Sequence, residues 1–273
     1  MPEGPEIKRA ADKLAGAIQG EPALLVEFAF PKLQPHAPLL TGHRILRVEP
    51  RGKAMLIHFA NYQSVYSHNQ LYGEWAILQH GELPRASLQL RLAIHTRRNI
   101  AALYSASAIE VWPTMFIKEH PYIAKLGVEL LAKGVTQQDV LAQINQPRFA
   151  CKSLAGLLLD QGFLAGLGNY LRSEILFVAR LHPGKRLAEL SAAQRVALAQ
   201  AAFDLTHQSY RTAGITNSLS IANRMKAAGD SFSSYRHWVF DRDGENCHAC
   251  GGEIKRIDIS GRGLCWCPHC QWQ

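Results

Sequence analysis

The sequence predicts an α+β chain of several domains, and three observations carry that reading. Short strand-like runs recur between about residues 24 and 104 without intervening helices; helical periodicity takes over from about 125 to 208; five of the six cysteines fall in the last 27 residues. Closely spaced short strands point to a β-sandwich or barrel. The helical stretch makes a second body, and the cysteine-rich tail a third, smaller one.

A first helix is expected over about 5–19, where Ile7, Ala11, Leu14 and Ile18 share one face and Pro5 suits a first turn. The strand-like runs are Leu24–Phe30, Ala54–Phe59, Trp75–Leu78, Leu88–Ile94 and Ile100–Tyr104. Helices follow at 136–145, 153–162, 168–180 and 191–207, the last with Ser191 as N-cap. Residues 209–235, rich in Ser, Gly and Asn, read as a linker or mobile loop. The predicted boundaries are 1–124, 125–215, a connecting segment 216–237, and 238–272.

With 273 residues, 47% of them apolar, the chain can bury a sizeable core, which excludes a disordered or fibrous protein. Thirty Lys and Arg against 22 Asp and Glu give a net charge of +8, favouring an anionic partner with nucleic acid first. That excess is spread along the chain and marks no single patch. No 18-residue apolar run occurs, so no membrane span is expected. The N-terminus carries Glu3 and Glu6 where a signal peptide would carry base, so the cytoplasm is the expected location.

Cysteines clustered in one tail suggest a metal site in place of a disulfide framework. Cys247-His-Ala-Cys250, sixteen residues, then Cys267-Pro-His-Cys270 has the spacing of a zinc ribbon. Four thiolates on two tight knuckles complete a closed tetrahedral shell around one structural Zn2+, with no open position for catalysis. Cys265 fits the paired knuckles less well and is expected to pack without ligating, and His248 and His269 are expected outside the ligand set. Arg262, between Gly261 and Gly263, falls at the expected hairpin tip. It reads as a solvated turn residue or as an arginine that a braced loop pushes into nucleic acid.

At the other end, Met1 precedes Pro2, and a small second residue usually permits removal of the initiator. Proline would then present a secondary amine, titrating near pH 8 and partly unprotonated at neutral pH. Such an amine attacking an aldehyde-level carbon gives an iminium ion, an electron sink for elimination. Glu3 would stand within reach as proton donor or acceptor. Many proteins begin Met-Pro, so the chemistry is permissive only.

Further motifs turn this into a specific expectation. Met1-Pro2-Glu3-Gly4-Pro5-Glu6-Ile7, Arg51-Gly52-Lys53, Ser67-His68-Asn69-Gln70-Leu71-Tyr72-Gly73, Leu158–Gln161 with Ala165-Gly166-Leu167-Gly168-Asn169-Tyr170, and the cysteine tail occur in that order. Together they resemble the formamidopyrimidine-DNA glycosylase/endonuclease VIII family from residue 1 to residue 270. Gly4-Pro5-Glu6 and the Gln70-Leu71-Tyr72 triplet resemble the endonuclease VIII branch, which acts on oxidised pyrimidines.

The resemblance implies an N-terminal helix and β-sandwich, a helix–two-turns–helix domain and a zinc-ribbon hairpin. It implies a bifunctional glycosylase/AP lyase of base excision repair, acting as a monomer on double-stranded DNA with oxidised bases or abasic sites. Pro2 would attack the sugar C1′, Glu3 would assist ring opening, with Glu6 a neighbour in that pocket, and Lys53 would be the acid/base partner in β-elimination. Extruding a nucleotide costs a few kcal/mol and leaves a hole for a wedge, the role implied for Gln70, Leu71 and Tyr72. Lys125 and Asn169 would contact phosphates, and Arg262 would enter the duplex and support δ-elimination. Two departures stand out: Gly263-Leu264-Cys265 after Arg262, and Ile215–Ser234, unlike the lesion-covering loop of the purine branch. The competing readings are a non-cleaving damaged-DNA binder of the same fold, a purine-lesion glycosylase, and a zinc-ribbon protein of transcription or translation.

Overall fold

Helix α1 (Gly4–Ile18) begins where its sequence can satisfy the first turn. Glu3, extended, is the N-cap, and its own N–H donates to Glu6 Oε2 at 3.0 Å in a capping box. Pro5 lies where a missing N–H costs nothing. The computed structural model describes residues 2–82, 87–259 and 261–272; Met1, whose removal the sequence predicts, lies outside them. Contacts divide the chain into two units, Met1–Lys125 and Leu126–Gln273.

In the first unit β1 (Leu25–Phe28), a short helix α2 (Ala37–Leu40), β2 (Ile45–Arg51), β3 (Ala54–Phe59), β4 (Gln63–His68), β5 (Glu74–Gln79), β6 (Leu90–His95), β7 (Asn99–Tyr104) and β8 (Ala108–Pro113) follow α1. They form two four-stranded sheets, ordered β1-β6-β7-β5 and β2-β3-β4-β8, with antiparallel pairing throughout. This is the sandwich. Its core joins Ile7, Leu14 and Ile18 of α1 to Met55, Ile57, Phe59, Val65, Leu92, Ile94 and Leu103, each fully buried side chain contributing about 1.5–3 kcal/mol. Strand β3 is buried on both faces, because Ala54 and Leu56 pack beneath Tyr66, Ile117 and Ile123 on the outer side. The predicted runs correspond to β1, β3, β5, β6 and β7. Strands β2, β4 and β8 are additions to them; a register shift at Ile45/Arg47 and Pro50 break the alternation of β2, Pro113 ends β8, and β4 is buried on both faces.

The second unit pairs β9 (Val128–Glu129) in parallel with β10 (Leu164–Ala165), and adds α3 (Gln137–Ile144), α4 (Leu154–Leu157), α5 (Asn169–Val178) and α6 (Ala192–Thr212). Thr136 and Ser191 cap α3 and α6 through their hydroxyls. The helix expected over 153–162 is a single turn. Beyond it Asp160 Oδ1 accepts the Gly162 N–H, and the Gln161 carboxamide accepts from Gly166 N and donates to Leu159 O and Leu167 O. Those side chains hold two turns in place of a longer helix.

The polar stretch read as a loop also differs: α7 (Leu219–Ala227) and α8 (Phe232–Tyr235) lie within it. Its polar residues serve internal bonds. Ser231 caps α8, buried Asn217 donates to Tyr235 O, and Gln208 donates to Ile215 O and Asn217 O. The tail closes with the antiparallel hairpin β11 (Lys255–Ile259) and β12 (Arg262–Trp266). Among the described residues no helix is long and apolar enough to cross a membrane.

Candidate functional site

The first unit carries the amino-terminal residues. Pro2 is half-buried and Glu3 buried at the head of α1. Lys53 follows Gly52, whose φ of +57° makes the β2–β3 turn, and is only 5% exposed, rare for lysine. Its backbone N–H donates to Tyr122 Oη at 2.9 Å. His68 lies opposite Ala54 across the β3–β4 ladder and meets the Tyr122 ring edge-on at 5.4 Å. Burial, and then the positive charge of Lys53, holds His68 below its ordinary pKa. His68 is therefore neutral at pH 7, and its Nδ1 accepts the Gln70 N–H at 3.0 Å.

The His68–Gln70 bond leads from Lys53 to the triplet. Gln70 sits in the left-handed region at φ +50°, a conformation costing about 1–2 kcal/mol, and its carboxamide accepts from the Ser107 hydroxyl. Gly73 closes the turn by donating to Asn69 O at 2.7 Å; a Cβ there would stand 2.5 Å from that oxygen. The result is a fixed loop whose tip presents Leu71 and Tyr72, 60% and 76% exposed. Lys125 is exposed in the turn Ile123–Lys125, shortly after Tyr122.

In the second unit the Sγ atoms of Cys247, Cys250, Cys267 and Cys270 lie within 4.8 Å of one another, two pairs at 4.0 and 3.5 Å. A tetrahedron with Zn–S bonds of about 2.3 Å has edges of about 3.8 Å. The donor set fits one structural zinc. Cys265 stands outside it, buried with Phe177, Val239 and Ile254, and burial pushes its thiol up. His248 and His269 also stand outside the set; His248 Nε2 lies 3.3 Å from Ser234 O.

Arg262 is exposed and opens β12 opposite Ile259, after Gly261 at φ +71°. Asn169 opens α5, and its amide reaches that hairpin, donating to Gly263 O at 2.8 Å. The structure thus joins two residues that are 94 apart in sequence. It also shows residues absent from the sequence-predicted site. Tyr122 anchors Lys53, Arg172 braces the hairpin, and buried Glu174 accepts the N–H groups of Trp238, Val239 and Phe240 at 2.8–2.9 Å. One signal for the last two was in the sequence: Arg172 and Glu174 interrupt an otherwise apolar helix, which has no solvent face to give them.

The N-terminal domain of formamidopyrimidine-DNA glycosylase matches residues 1–104, the H2TH domain of that protein residues 126–220, and the zinc finger found in FPG and IleRS residues 244–271. Over 99% of its length the chain is 45% identical to the whole of endonuclease 8 from Klebsiella pneumoniae and, equally, from Salmonella paratyphi B. The chain belongs to the formamidopyrimidine-DNA glycosylase/endonuclease VIII family. Among solved structures, Lactococcus lactis formamidopyrimidine-DNA glycosylase bound to DNA with an oxidised pyrimidine superposes with a TM-score of 0.82 at 21% identity, both chains fully covered. The same protein with abasic-site DNA gives 0.82 at 22%, covering 99% of this chain and all of that one. These superpositions establish the family fold.

Proposed function

We propose that this protein is a DNA glycosylase/AP lyase of base excision repair that removes oxidised pyrimidines from duplex DNA and then cuts the strand. The 45% identity to endonuclease 8 over the full length supports the branch, and the oxidised-pyrimidine and abasic-site DNA bound by the structural relatives support the substrate. The observation that carries the chemistry is Lys53, a lysine withdrawn from water and pinned by its backbone.

After loss of Met1, the Pro2 nitrogen attacks C1′ of an extruded nucleotide. The glycosidic bond breaks with its electron pair going to the base, which takes a proton. The Pro2 nitrogen gives up its own proton, and its electron pair then expels O4′ from C1′; O4′ takes a proton, and the opened sugar is left as an iminium on Pro2. Glu3 assists opening of the sugar ring. Removal of a C2′ proton then expels the 3′ phosphate, with Lys53 as the acid/base group, and a second elimination supported by Arg262 expels the 5′ phosphate. Leu71 and Tyr72, held out by the strained Gln70 turn, fill the space left in the stack. Asn169 and Lys125 take phosphates; zinc, where bound, braces the hairpin and takes no part in bond-making. We assign these tasks to segments 1–124, 125–215, 216–237 and 238–272, in a monomer acting on DNA in the cytoplasm, with affinity falling as salt rises.

Borohydride reduction during reaction with abasic duplex tests this. A covalent adduct is expected for the processed chain, lost in Pro2→Gly and in protein retaining Met1. No adduct with an intact Pro2 terminus would overturn the lyase and leave a non-cleaving binder. Comparing dihydrouracil, thymine glycol and 8-oxoguanine duplexes separates pyrimidine from purine preference.

A further inference from the structure

We propose that Arg172 is a positioning residue for Arg262, tying the tip of the zinc hairpin to the first turn of α5 so that the phosphate-binding turn and the inserted arginine move as one. The proposal rests on the role given to Arg262 above.

Helix α5 is buried all round from Tyr170 to Phe177, and Arg172 is 0% exposed. A guanidinium withdrawn from water is tolerated only where its N–H groups find acceptors. Those acceptors identify its task. Nη1 donates to Ala155 O at 3.3 Å, while Nη2 faces Asn169 Oδ1, Gly263 O at 3.2 Å and Arg262 O at 3.4 Å. Two of these are backbone carbonyls of the hairpin tip. Gly263 O also receives the Asn169 amide at 2.8 Å. On its other side Gly263 is covered by Arg256, whose Nε would lie 2.4 Å from a Cβ at that position.

The tip is therefore gripped through its main chain while the Arg262 side chain stays exposed. The four cysteines hold the base of the hairpin, several residues away; nothing in that cluster orients residue 262. Asn169 extends the grip. A carboxamide has two N–H bonds; Gly263 takes one, and the other suits a phosphate. A phosphate bound at α5 is thus one hydrogen-bonded step from the arginine that enters the duplex, and Arg172 sets the geometry between them. Charge-assisted bonds to a planar fork are directional, which lysine cannot reproduce.

The test is a double-mutant cycle on the zinc-loaded full chain, with Arg172→Met, Arg172→Lys, Arg262→Ala and the two double variants. Cleavage of a dihydrouracil duplex is followed under single turnover at saturating DNA, alongside zinc content and melting temperature. Arg172→Met is expected to keep its zinc yet cleave about tenfold more slowly, and to add less than about twofold once Arg262 is alanine. Arg172→Lys should show the same pattern more weakly. A full loss in both backgrounds, or none in either, overturns the proposal. Should the methionine variant not accumulate folded, the lysine cycle is read by the same two outcomes. Failure of the wild type itself to cleave or be trapped would instead count against the proposed function.

Discussion

Lys53 and Arg262, one in each unit, are held in place by similar means on scaffolds of different construction. Each stands beside a tight turn, and each is fixed through its backbone by a remote side chain: Tyr122 takes the Lys53 N–H, and Arg172 donates to the carbonyls of Arg262 and Gly263. Around Lys53 the sandwich supplies a large apolar core and the lysine itself is buried. Around Arg262 the hairpin packs Leu264, Ile257, Ile259 and Trp266 against the helical core, with a small apolar cluster and the four cysteines at its base, and the arginine is exposed. In the roles proposed above, a residue that does chemistry on an extruded sugar gains from a dry, rigid wall, whereas one that enters a duplex has to stand in water. The second scaffold adds to its apolar packing a four-cysteine metal site, for which the described residues of the first unit have no counterpart.

Removing the metal breaks that comparison most sharply. Cys267→Ser should release zinc, whose binding is worth about 10–16 kcal/mol in small zinc modules, unfold the hairpin and weaken DNA binding. The melting of unit Met1–Lys125, followed by proteolysis or hydrogen exchange, should hardly change. Cys265→Ser should keep one zinc per chain and lose about 1–2 kcal/mol of packing. Zinc loss in the Cys265 variant would mean that the ligand set is wrong.

A second contrast lies in what titrates. His68, beside Lys53, is half-buried, whereas His237 is packed between the rings of Tyr170 and Phe240 with its Nδ1 2.8 Å from the Thr216 hydroxyl. Burial, with Arg236 and Arg242 nearby, pushes the His237 pKa down to about 3. Between pH 6.5 and 3 the unfolded chain binds this proton and the folded one does not. Stability due to His237 is thus intact above pH 6.5 and lost as pH falls, at up to about 1.4 kcal/mol per pH unit. Glu174, raised by burial, acts in the opposite sense, so the informative measurement is a difference. Denaturant unfolding at pH 7 and pH 5 should show a smaller acid loss in His237→Gln than in wild type; equal losses would remove His237 from the account.

How much of this was legible beforehand follows the same division. The ends of the chain were the clearest: the cysteine spacing specifies a metal whatever surrounds it, and α1 shows both its apolar face and its capping residues. Strands β2 and β4 were not, since a bulge and a stretch buried on both faces erase the period of two. The stretch 209–235 reads as a loop because Asn217, Ser218 and Ser231 are polar, yet polarity does not reveal whether a side chain faces water or a neighbouring backbone group. The bracing residues were hidden for a related reason. Lys53 and Tyr122 are 69 positions apart, and Arg172 and Gly263 are 91 apart; only the fold states that they meet.

Tyr122 provides the finest test of the comparison. Its hydroxyl accepts one N–H from Lys53, and its ring packs edge-on against His68 and tilted against Tyr66 at 6.1 Å. Tyr122→Phe keeps the ring and removes one hydrogen bond, so the fold should lose only about 1 kcal/mol. If that bond sets where the Lys53 backbone turns, cleavage at saturating DNA should fall about three- to tenfold while DNA affinity holds, because a misplaced acid/base group affects the chemical step and not the encounter. If the bond merely stabilises the turn, rate and affinity should both stay near wild type once the protein is folded. Single-turnover rates on pre-formed abasic sites, where base release is already complete, isolate the elimination assigned to Lys53. An unchanged rate there would show that the sandwich core alone places the lysine, leaving remote side-chain bracing as a property of the zinc hairpin only.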